Sequence, residues 1–174
     1  VMPSADNKCY VNNRHGKDYS DYITKELIDK CEAWFSLSQN KEDRYIAGMS
    51  MGGYGAFYSA LEHPDLYNKA FSYSGLLNIL ARYDNPQGLD MYPVFGDRKE
   101  LIESGKDLFT KAEKSKSSFK DKDNATQFYI YCGLGDTRLD MSRDMYDCMS
   151  RCGYNVYKHE SEGDHSWQYW DKCI

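Results

Sequence analysis

A serine at position 50 has the sequence context of a nucleophile. Residues 48–52 read Gly-Met-Ser-Met-Gly, which matches the G-x-S-x-G pattern of a nucleophile elbow. In that pattern Ser50 sits in a tight turn from a strand into a helix, and side chains at Gly48 and Gly52 would collide across the turn. The helix offers its positive end and free N–H groups to a developing oxyanion. The other interpretation is a glycine-rich turn that contains an ordinary serine.

A nucleophilic serine needs a general base, and the chain offers four histidines. In the elbow fold the catalytic groups follow the chain order Ser, acid, His. His165 follows the last predicted strand, in a loop where such a base is expected. His15 and His63 precede the acid candidates, and His159 lies in or at the end of a strand. We therefore expect His165 to be the base, with a solvated surface histidine as the alternative.

The base in turn needs an acid that orients it. Asp136 follows the predicted strand 127–132 in the loop Gly-Leu-Gly-Asp. Sites of open α/β sheets collect at such strand ends, which favours Asp136. Asp140 is the nearest rival, although it could cap the next helix. Asp164 is less favoured, because it would have to fold back onto the neighbouring base.

The elements that must position these side chains alternate between strand and helix. Strands are predicted at residues 44–49, 70–74, 127–132 and 155–159, with residues 1–3 as the end of another strand. Helices are predicted at residues 20–35 (capped by Asp18 or Ser20), 51–63, 98–104, 106–115, 141–152 and 167–173. This alternation predicts one α/β domain, residues 1–174, with a mainly parallel sheet.

Composition excludes several classes of protein. The 174 residues carry 22 basic and 27 acidic side chains, a formal charge of -5, which disfavours a nucleic-acid binder. No stretch is long and apolar enough to predict a membrane span. We expect the six cysteines to be mostly buried thiols, with disulfides or a metal site as alternatives.

Three motifs together resemble one family. Residues 44–56, which hold the elbow, look like the elbow of the esterase branch of the α/β hydrolases. Residues 131–136 are similar to that branch's acid loop, and residues 163–171 resemble its histidine loop, in which an aromatic pair follows the base. The branch includes tributyrin esterases, S-formylglutathione hydrolases, feruloyl esterases and the antigen 85 mycolyltransferases. Within it, this chain is most similar to the tributyrin esterases.

The resemblance implies a serine carboxylesterase that forms an acyl-enzyme. Ser50 would attack the ester carbonyl, His165 would carry the proton, and Asp136 would hold the imidazolium. The Met51 N–H would be one oxyanion donor, and no cofactor or metal is needed. Short acyl or small aryl esters are the expected substrates, and residues 82–126 are expected to form a cap or pocket wall. The alternatives are a feruloyl or acetyl esterase of plant polysaccharide and a non-catalytic binding module.

The resemblance begins at Val1-Met2-Pro3, which looks like the fourth strand of the family's sheet. In that sheet the third strand lies between the fourth and the fifth, and the loop after it supplies the second oxyanion donor. We therefore expect the chain to be the C-terminal two-thirds of an α/β-hydrolase domain that lacks its first three strands. An N-terminal segment or a second polypeptide would supply them.

Overall fold

The protein has a parallel β-sheet flanked by helices. The structure, a computed structural model, describes residues 1–84, 91–121 and 123–174. The strands are β1 (Tyr45–Met49), β2 (Lys69–Tyr73), β3 (Gln127–Gly133) and β4 (Asn155–Ser161). They form one sheet in the order β1-β2-β3-β4, and each adjacent pair is parallel. The carboxyl ends of all the strands therefore meet at one edge, and the predicted α/β class is confirmed.

The helices connect these strands and follow the sequence predictions closely. In chain order they are α1 (Tyr19–Asp21), α2 (Leu27–Trp34), α3 (Met51–Glu62), α4 (Ile79–Asp84), α5 (Tyr92–Phe95), α6 (Arg98–Glu103), α7 (Leu108–Ser115), α8 (Leu139–Cys152) and α9 (Trp167–Cys173). A π-helical turn, Tyr22–Glu26, joins α1 to α2, and 3₁₀ turns occupy Lys41–Asp43 and Lys116–Phe119. The short helices α4 and α5 were not predicted, because four to six residues show little periodicity.

Local side chains explain where several helices begin and end. Asp97 and Glu100 form a capping box at the start of α6, and the Asp107 carboxylate accepts the Thr110 N–H at the start of α7. Gly153 ends α8 with a left-handed φ of 84°, which glycine adopts without a steric penalty. Asp18 precedes α1 as predicted, but its side chain makes no capping hydrogen bond.

Two hydrophobic clusters lie on opposite faces of the sheet. On one face α3 packs against β1 and β2 and α8 packs against β3 and β4, with α7 packed on both helices. The Phe57 and Phe128 rings meet edge-on at 5.1 Å in this cluster. On the other face Tyr169 and Trp170 of α9 pack near the strand ends against Tyr73. Because side chains alternate along a strand, β2 contributes to both clusters. Helix α9 is thus fixed directly beside the edge where the strands end.

The prediction of a strand at residues 1–3 is wrong. Val1 and Met2 are almost fully exposed, and no strand of the described residues pairs with them. A strand is stabilised by ladder hydrogen bonds to a neighbour, and here β1 is itself an edge strand. Beside β1 lies a groove of about 800 Å³, lined partly by Val1, Met2 and Leu27.

The segment 82–126 packs as short helices around the main core. Met91 and Phe95 are buried in that core, whereas Tyr92 is exposed. The Tyr83 hydroxyl donates a hydrogen bond to the Gly96 carbonyl at 2.7 Å. Residues 85–90 and 122 of this segment lie outside the described residues. A single domain over residues 1–174, with this segment as a cap or pocket wall, stays a prediction.

All six cysteines are free thiols. Cys9, Cys31, Cys132 and Cys148 are buried, and the other two are half-buried, as the sequence predicted. Burial raises the pKa of Cys9 to about 12 and the pKa of Cys132 to about 11, so both thiols stay neutral near pH 7. Among the residues that the structure describes, no three His, Cys, Asp or Glu side chains cluster as metal ligands.

Candidate active site

Ser50 occupies a sharp turn between β1 and α3. Its φ is 52° and its ψ is -114°, a backbone conformation that non-glycine residues rarely adopt. Such strain costs about 1–3 kcal/mol and persists only where the surroundings impose it. The Ser50 N–H donates to the Tyr73 carbonyl at 2.9 Å, and the Ser50 carbonyl accepts the Leu76 N–H at 2.9 Å. These bonds to the next strand and its loop hold the turn in place.

The two elbow glycines are not equivalent. A Cβ atom at Gly48 would lie 2.1 Å from the backbone oxygen of Gly52, a collision that only glycine avoids. A Cβ atom at Gly52 would come no nearer than 3.9 Å to the Tyr10 ring, which is an ordinary contact. The steric reason that the sequence suggested therefore holds at Gly48, and Gly52 is not required by the described residues around it.

His165 and Asp136 lie in two loops that pack against each other. Asp136 follows β3 and His165 follows β4, and the Gly135 N–H donates to the Gly163 carbonyl at 2.9 Å. Gly163 has a φ of 151°, and a Cβ atom there would lie 2.2 Å from the Tyr169 ring. Glycine at that position thus lets the loop of His165 approach α9 and the acid loop.

The three predicted side chains form one hydrogen-bonded line. His165 Nε2 lies 3.1 Å from Ser50 Oγ, and His165 Nδ1 lies 3.0 Å and 3.2 Å from the two Asp136 carboxylate oxygens. An ionised carboxylate only accepts hydrogen bonds, so the Asp136 contact places the ring proton on Nδ1. Nε2 is then free to accept the Ser50 hydroxyl proton.

The rival residues are placed elsewhere. Asp140 lies in the first turn of α8 with an exposed side chain, and Asp164 is also exposed. His15 is exposed, His63 follows the end of α3, and the His159 ring packs on Tyr131 within the sheet. The structure brings His165 and Asp136 to Ser50, and it brings none of these five residues there.

Asp136 is kept ionised inside the protein. Its side chain has no exposed surface, and burial by itself would raise the pKa of this carboxyl. Hydrogen bonds from His165, from the Ser74 hydroxyl and from the Arg138 N–H outweigh burial and hold the pKa of Asp136 below its usual value. A buried acceptor with several donors is the environment that a charged orienting acid requires.

Met51 is the first residue of α3. The first N–H groups of a helix have no acceptor within the helix, and the helix dipole places positive potential there. The Met51 N–H therefore has the type and the place of an oxyanion donor beside Ser50.

Sequence reasoning missed two side chains at this site. Ser74 follows β2 and helps to lower the pKa of Asp136, and Trp170 of α9 packs edge-on against His165 with ring centroids 5.0 Å apart. The sequence did show an aromatic pair after the base, which includes Trp170, but it did not predict that Trp170 would contact His165. Tyr73-Ser74-Gly75 carries no comparable pattern, because its contact depends on a loop 62 residues later.

Comparison with known proteins identifies the family. The sequence model of the family described as "Putative esterase" matches residues 2–174. The chain belongs to this esterase family. It is similar to an acetyl esterase of Caldicellulosiruptor saccharolyticus, with 30% identity over 182 residues that cover 99% of this chain and 67% of the relative.

Two solved structures from Staphylococcus aureus are also similar to this esterase. The fluorophosphonate-binding serine hydrolase F has 29% identity and a TM-score of 0.89, and an S-formylglutathione hydrolase has 29% identity and a TM-score of 0.83. Each match covers 99% of this chain and 67% of the solved chain, so the esterase spans about two thirds of the length of these relatives.

The family and these relatives identify the activity class. The chain is a carboxylic-ester hydrolase of the α/β-hydrolase superfamily and acts on ester substrates. The comparisons do not favour a non-catalytic binding module or a feruloyl or acetyl esterase of plant polysaccharide. No helix in the described part of the chain is long and apolar enough to cross a membrane.

Proposed function

We propose that this esterase cleaves short-chain acyl or small aryl esters through a covalent acyl-enzyme on Ser50. The observation that carries the proposal is the unbroken line from Ser50 Oγ through the His165 ring to Asp136, with contacts of 3.1 Å and 3.0 Å. A serine, an imidazole and a buried carboxylate in this order form the arrangement that makes a hydroxyl nucleophilic.

The mechanism proceeds in two halves. His165 Nε2 takes the Ser50 proton while Ser50 Oγ forms a bond to the ester carbonyl carbon. The Met51 N–H donates to the developing oxyanion, and His165 then gives the proton to the departing alcohol. In the second half, His165 takes a proton from water, the hydroxide attacks the acyl carbon, and the proton returns to Ser50. Asp136 stabilises the imidazolium in both halves.

A fluorophosphonate probe tests the nucleophile directly. Ser50 should displace fluoride from the probe and form a phosphonyl ester. Peptide mass spectrometry should find this label on the tryptic peptide that contains Ser50. His165→Gln should slow labelling by about 10³-fold or more, because the base is lost. His159→Gln is the matched control and should label at the wild-type rate. Absence of labelling, or labelling at another residue, would contradict the assignment.

The acyl preference rests on similarity to small-ester hydrolases and needs its own measurement. Rates on acetyl, butyryl and octanoyl p-nitrophenyl esters and on a methyl ferulate ester would rank the substrates. We expect the highest kcat/KM on the acetyl or butyryl ester. A higher value on the ferulate ester would replace short acyl esters with plant-polysaccharide esters as the substrate class.

Further strands from an N-terminal segment or a second polypeptide stay a prediction. Their place in a parallel sheet would be the outer edge of β1, beside the groove lined by Leu27 and Ile28 of α2. A polypeptide bound there would protect the amide protons of β1 from hydrogen exchange.

A further inference from the structure

The Ser74 hydroxyl is a buried polar group that the proposed mechanism leaves unused. Ser74 follows the last residue of β2, has no exposed surface, and adopts a φ of 50°. Its N–H donates to the Tyr131 carbonyl at 2.7 Å, so the backbone of the turn is bonded to β3. A non-glycine residue with positive φ costs free energy, which the surroundings must offset.

The direction of the hydrogen bonds at Ser74 follows from the chemistry of its neighbours. The Trp170 indole N–H only donates, and it lies 2.9 Å from Ser74 Oγ, so the hydroxyl oxygen accepts there. The Ser74 proton is left for one of two neighbours, the Asp136 carboxylate or the Cys132 sulfur. Cys132 is a neutral thiol and a weak acceptor, whereas Asp136 is charged. The stronger, charged acceptor assigns the Ser74 proton to Asp136.

Trp170 contacts the base as well as Ser74. Its ring meets the His165 ring edge-on, with centroids 5.0 Å apart and planes at 88°. Trp170 is only 8% exposed and lies in α9, which is packed against the sheet. One rigid side chain thus touches the proposed base through its ring and reaches the proposed acid through Ser74.

We propose that Ser74 and Trp170 are positioning residues of the esterase. The hydrogen-bond series from Trp170 through Ser74 to Asp136 fixes the orientation of the acid, and the Trp170 ring restricts the rotation of His165. The inference rests on the proposed roles of Ser50, His165 and Asp136. It adds two residues that touch neither the substrate nor the nucleophile and act through the acid and the base.

Ser74→Ala removes the donor to Asp136 and keeps the size of the side chain nearly unchanged. We expect kcat on p-nitrophenyl butyrate to fall roughly 10- to 100-fold, the factor typical of one lost hydrogen bond to a charged group, with KM unchanged. Ser72→Ala is the matched control, because Ser72 is equally buried two residues earlier, on β2, and its hydroxyl faces Gly53 and Gly75 instead. The control should keep the wild-type kcat.

Trp170→Phe tests the same series from its other end. Phenylalanine keeps an aromatic ring near His165 and removes the N–H, so kcat should fall about 3- to 30-fold. Trp34→Phe, at a position of α2 that is 71% exposed, is the control and should keep the wild-type kcat. If the two residues act in series, the double variant Ser74→Ala/Trp170→Phe should be little worse than Ser74→Ala alone. Losses that multiply fully would overturn the series.

Asp136→Asn separates this inference from the proposed function. It should lower kcat about 10⁴-fold, and adding Ser74→Ala in that background should change the residual rate less than twofold. Wild-type activity in Asp136→Asn would overturn the proposed acid itself. Loss of activity in Asp136→Asn with an unchanged kcat in Ser74→Ala would overturn only the positioning role. If Ser74→Ala fails to fold, the Trp170→Phe and Trp34→Phe pair gives the same decision.

Discussion

Two serines that directly follow neighbouring strands both have a positive φ angle. Ser50 follows β1 and Ser74 follows β2, and their φ angles are 52° and 50°. The last residues of the two strands, Met49 and Tyr73, pair in the sheet, so the turns lie side by side. Each serine N–H donates to a carbonyl of the next strand, Ser50 to Tyr73 of β2 and Ser74 to Tyr131 of β3. Two adjacent strands of the parallel sheet thus end in a residue with an unfavourable positive φ at one edge.

What differs is the environment of each hydroxyl. Ser50 is half-buried, opens onto the start of α3, and faces His165, which can take its proton. Ser74 is fully buried, its oxygen accepts the Trp170 indole N–H, and its proton is assigned above to the Asp136 carboxylate. A strained turn therefore does not by itself make a serine reactive. A free proton acceptor and an adjacent oxyanion donor are required as well.

The largest expected effect is a difference in turnover between variants of the two serines. Ser50→Ala removes the nucleophile and should lower kcat on p-nitrophenyl butyrate by about 10⁴-fold or more, with the melting temperature nearly unchanged. Ser74→Ala removes one hydrogen bond and should leave at least about one hundredth of the rate. Equal losses at the two positions would mean that the turns are not functionally different. Burst-phase release of p-nitrophenol should disappear only in Ser50→Ala.

The sequence predicted one of these turns and not the other, for a physical reason. The elbow can be predicted from the sequence because its geometry constrains adjacent residues. Gly48 is the clearest case, because an added Cβ there would collide with the backbone of Gly52. The alternation of strands and helices was readable because each element has its own periodicity. Ser74 has no such local constraint, since Gly75 is crowded mainly by side chains of Ser72 and Leu77.

Contacts between distant segments could not be predicted from the sequence, for a related reason. Helix α9 brings Trp170 to Ser74 and to His165 only after β2, β3 and β4 have paired. The prediction of a strand at residues 1–3 failed in the same way, because a short apolar run becomes a strand only when a partner offers ladder bonds. Local steric rules are visible in one sequence, and pairings across the sheet are not.

A medium effect should distinguish the glycines of the two turns. Gly48→Ala places a Cβ 2.1 Å from a backbone oxygen, so the elbow must distort. We expect the free energy of unfolding to fall by about 3 kcal/mol and kcat to fall by at least about 10³-fold. Gly75→Ala also brings a Cβ within 2.1 Å of an atom, but that atom is the Ser72 hydroxyl, which can rotate away.

Gly75→Ala should therefore lower the free energy of unfolding by less than about half as much as Gly48→Ala does. Gly52→Ala should fold as the wild type does, because its new Cβ meets only the Tyr10 ring at 3.9 Å. Thermal melting and fluorophosphonate labelling of the three variants would rank them. A stable and active Gly48→Ala protein would show that the collision is relieved by a movement of α3.

The smallest effect should be a pH-dependent difference in stability. The pKa of Asp136 is lowered in the folded protein, where Ser74 is one of its donors. A carboxyl with a lowered folded pKa contributes stability above its unfolded pKa of about 3.9 and loses that contribution as the pH falls through the folded pKa.

Ser74→Ala should therefore lower the melting temperature by about 2–4 °C between pH 5 and pH 8, where Asp136 is ionised, since about 1 kcal/mol of hydrogen bonding is lost. Below the folded pKa of Asp136 the carboxyl is protonated in both proteins, and the difference should shrink. Ser50 makes no hydrogen bond to Asp136, so any offset in Ser50→Ala should stay constant as the pH falls from 5 through the unfolded pKa of about 3.9 and below. Melting curves at half-unit steps measure both differences. If the Ser74→Ala offset is constant across this acidic range, the Ser74 hydroxyl does not donate to the ionised acid.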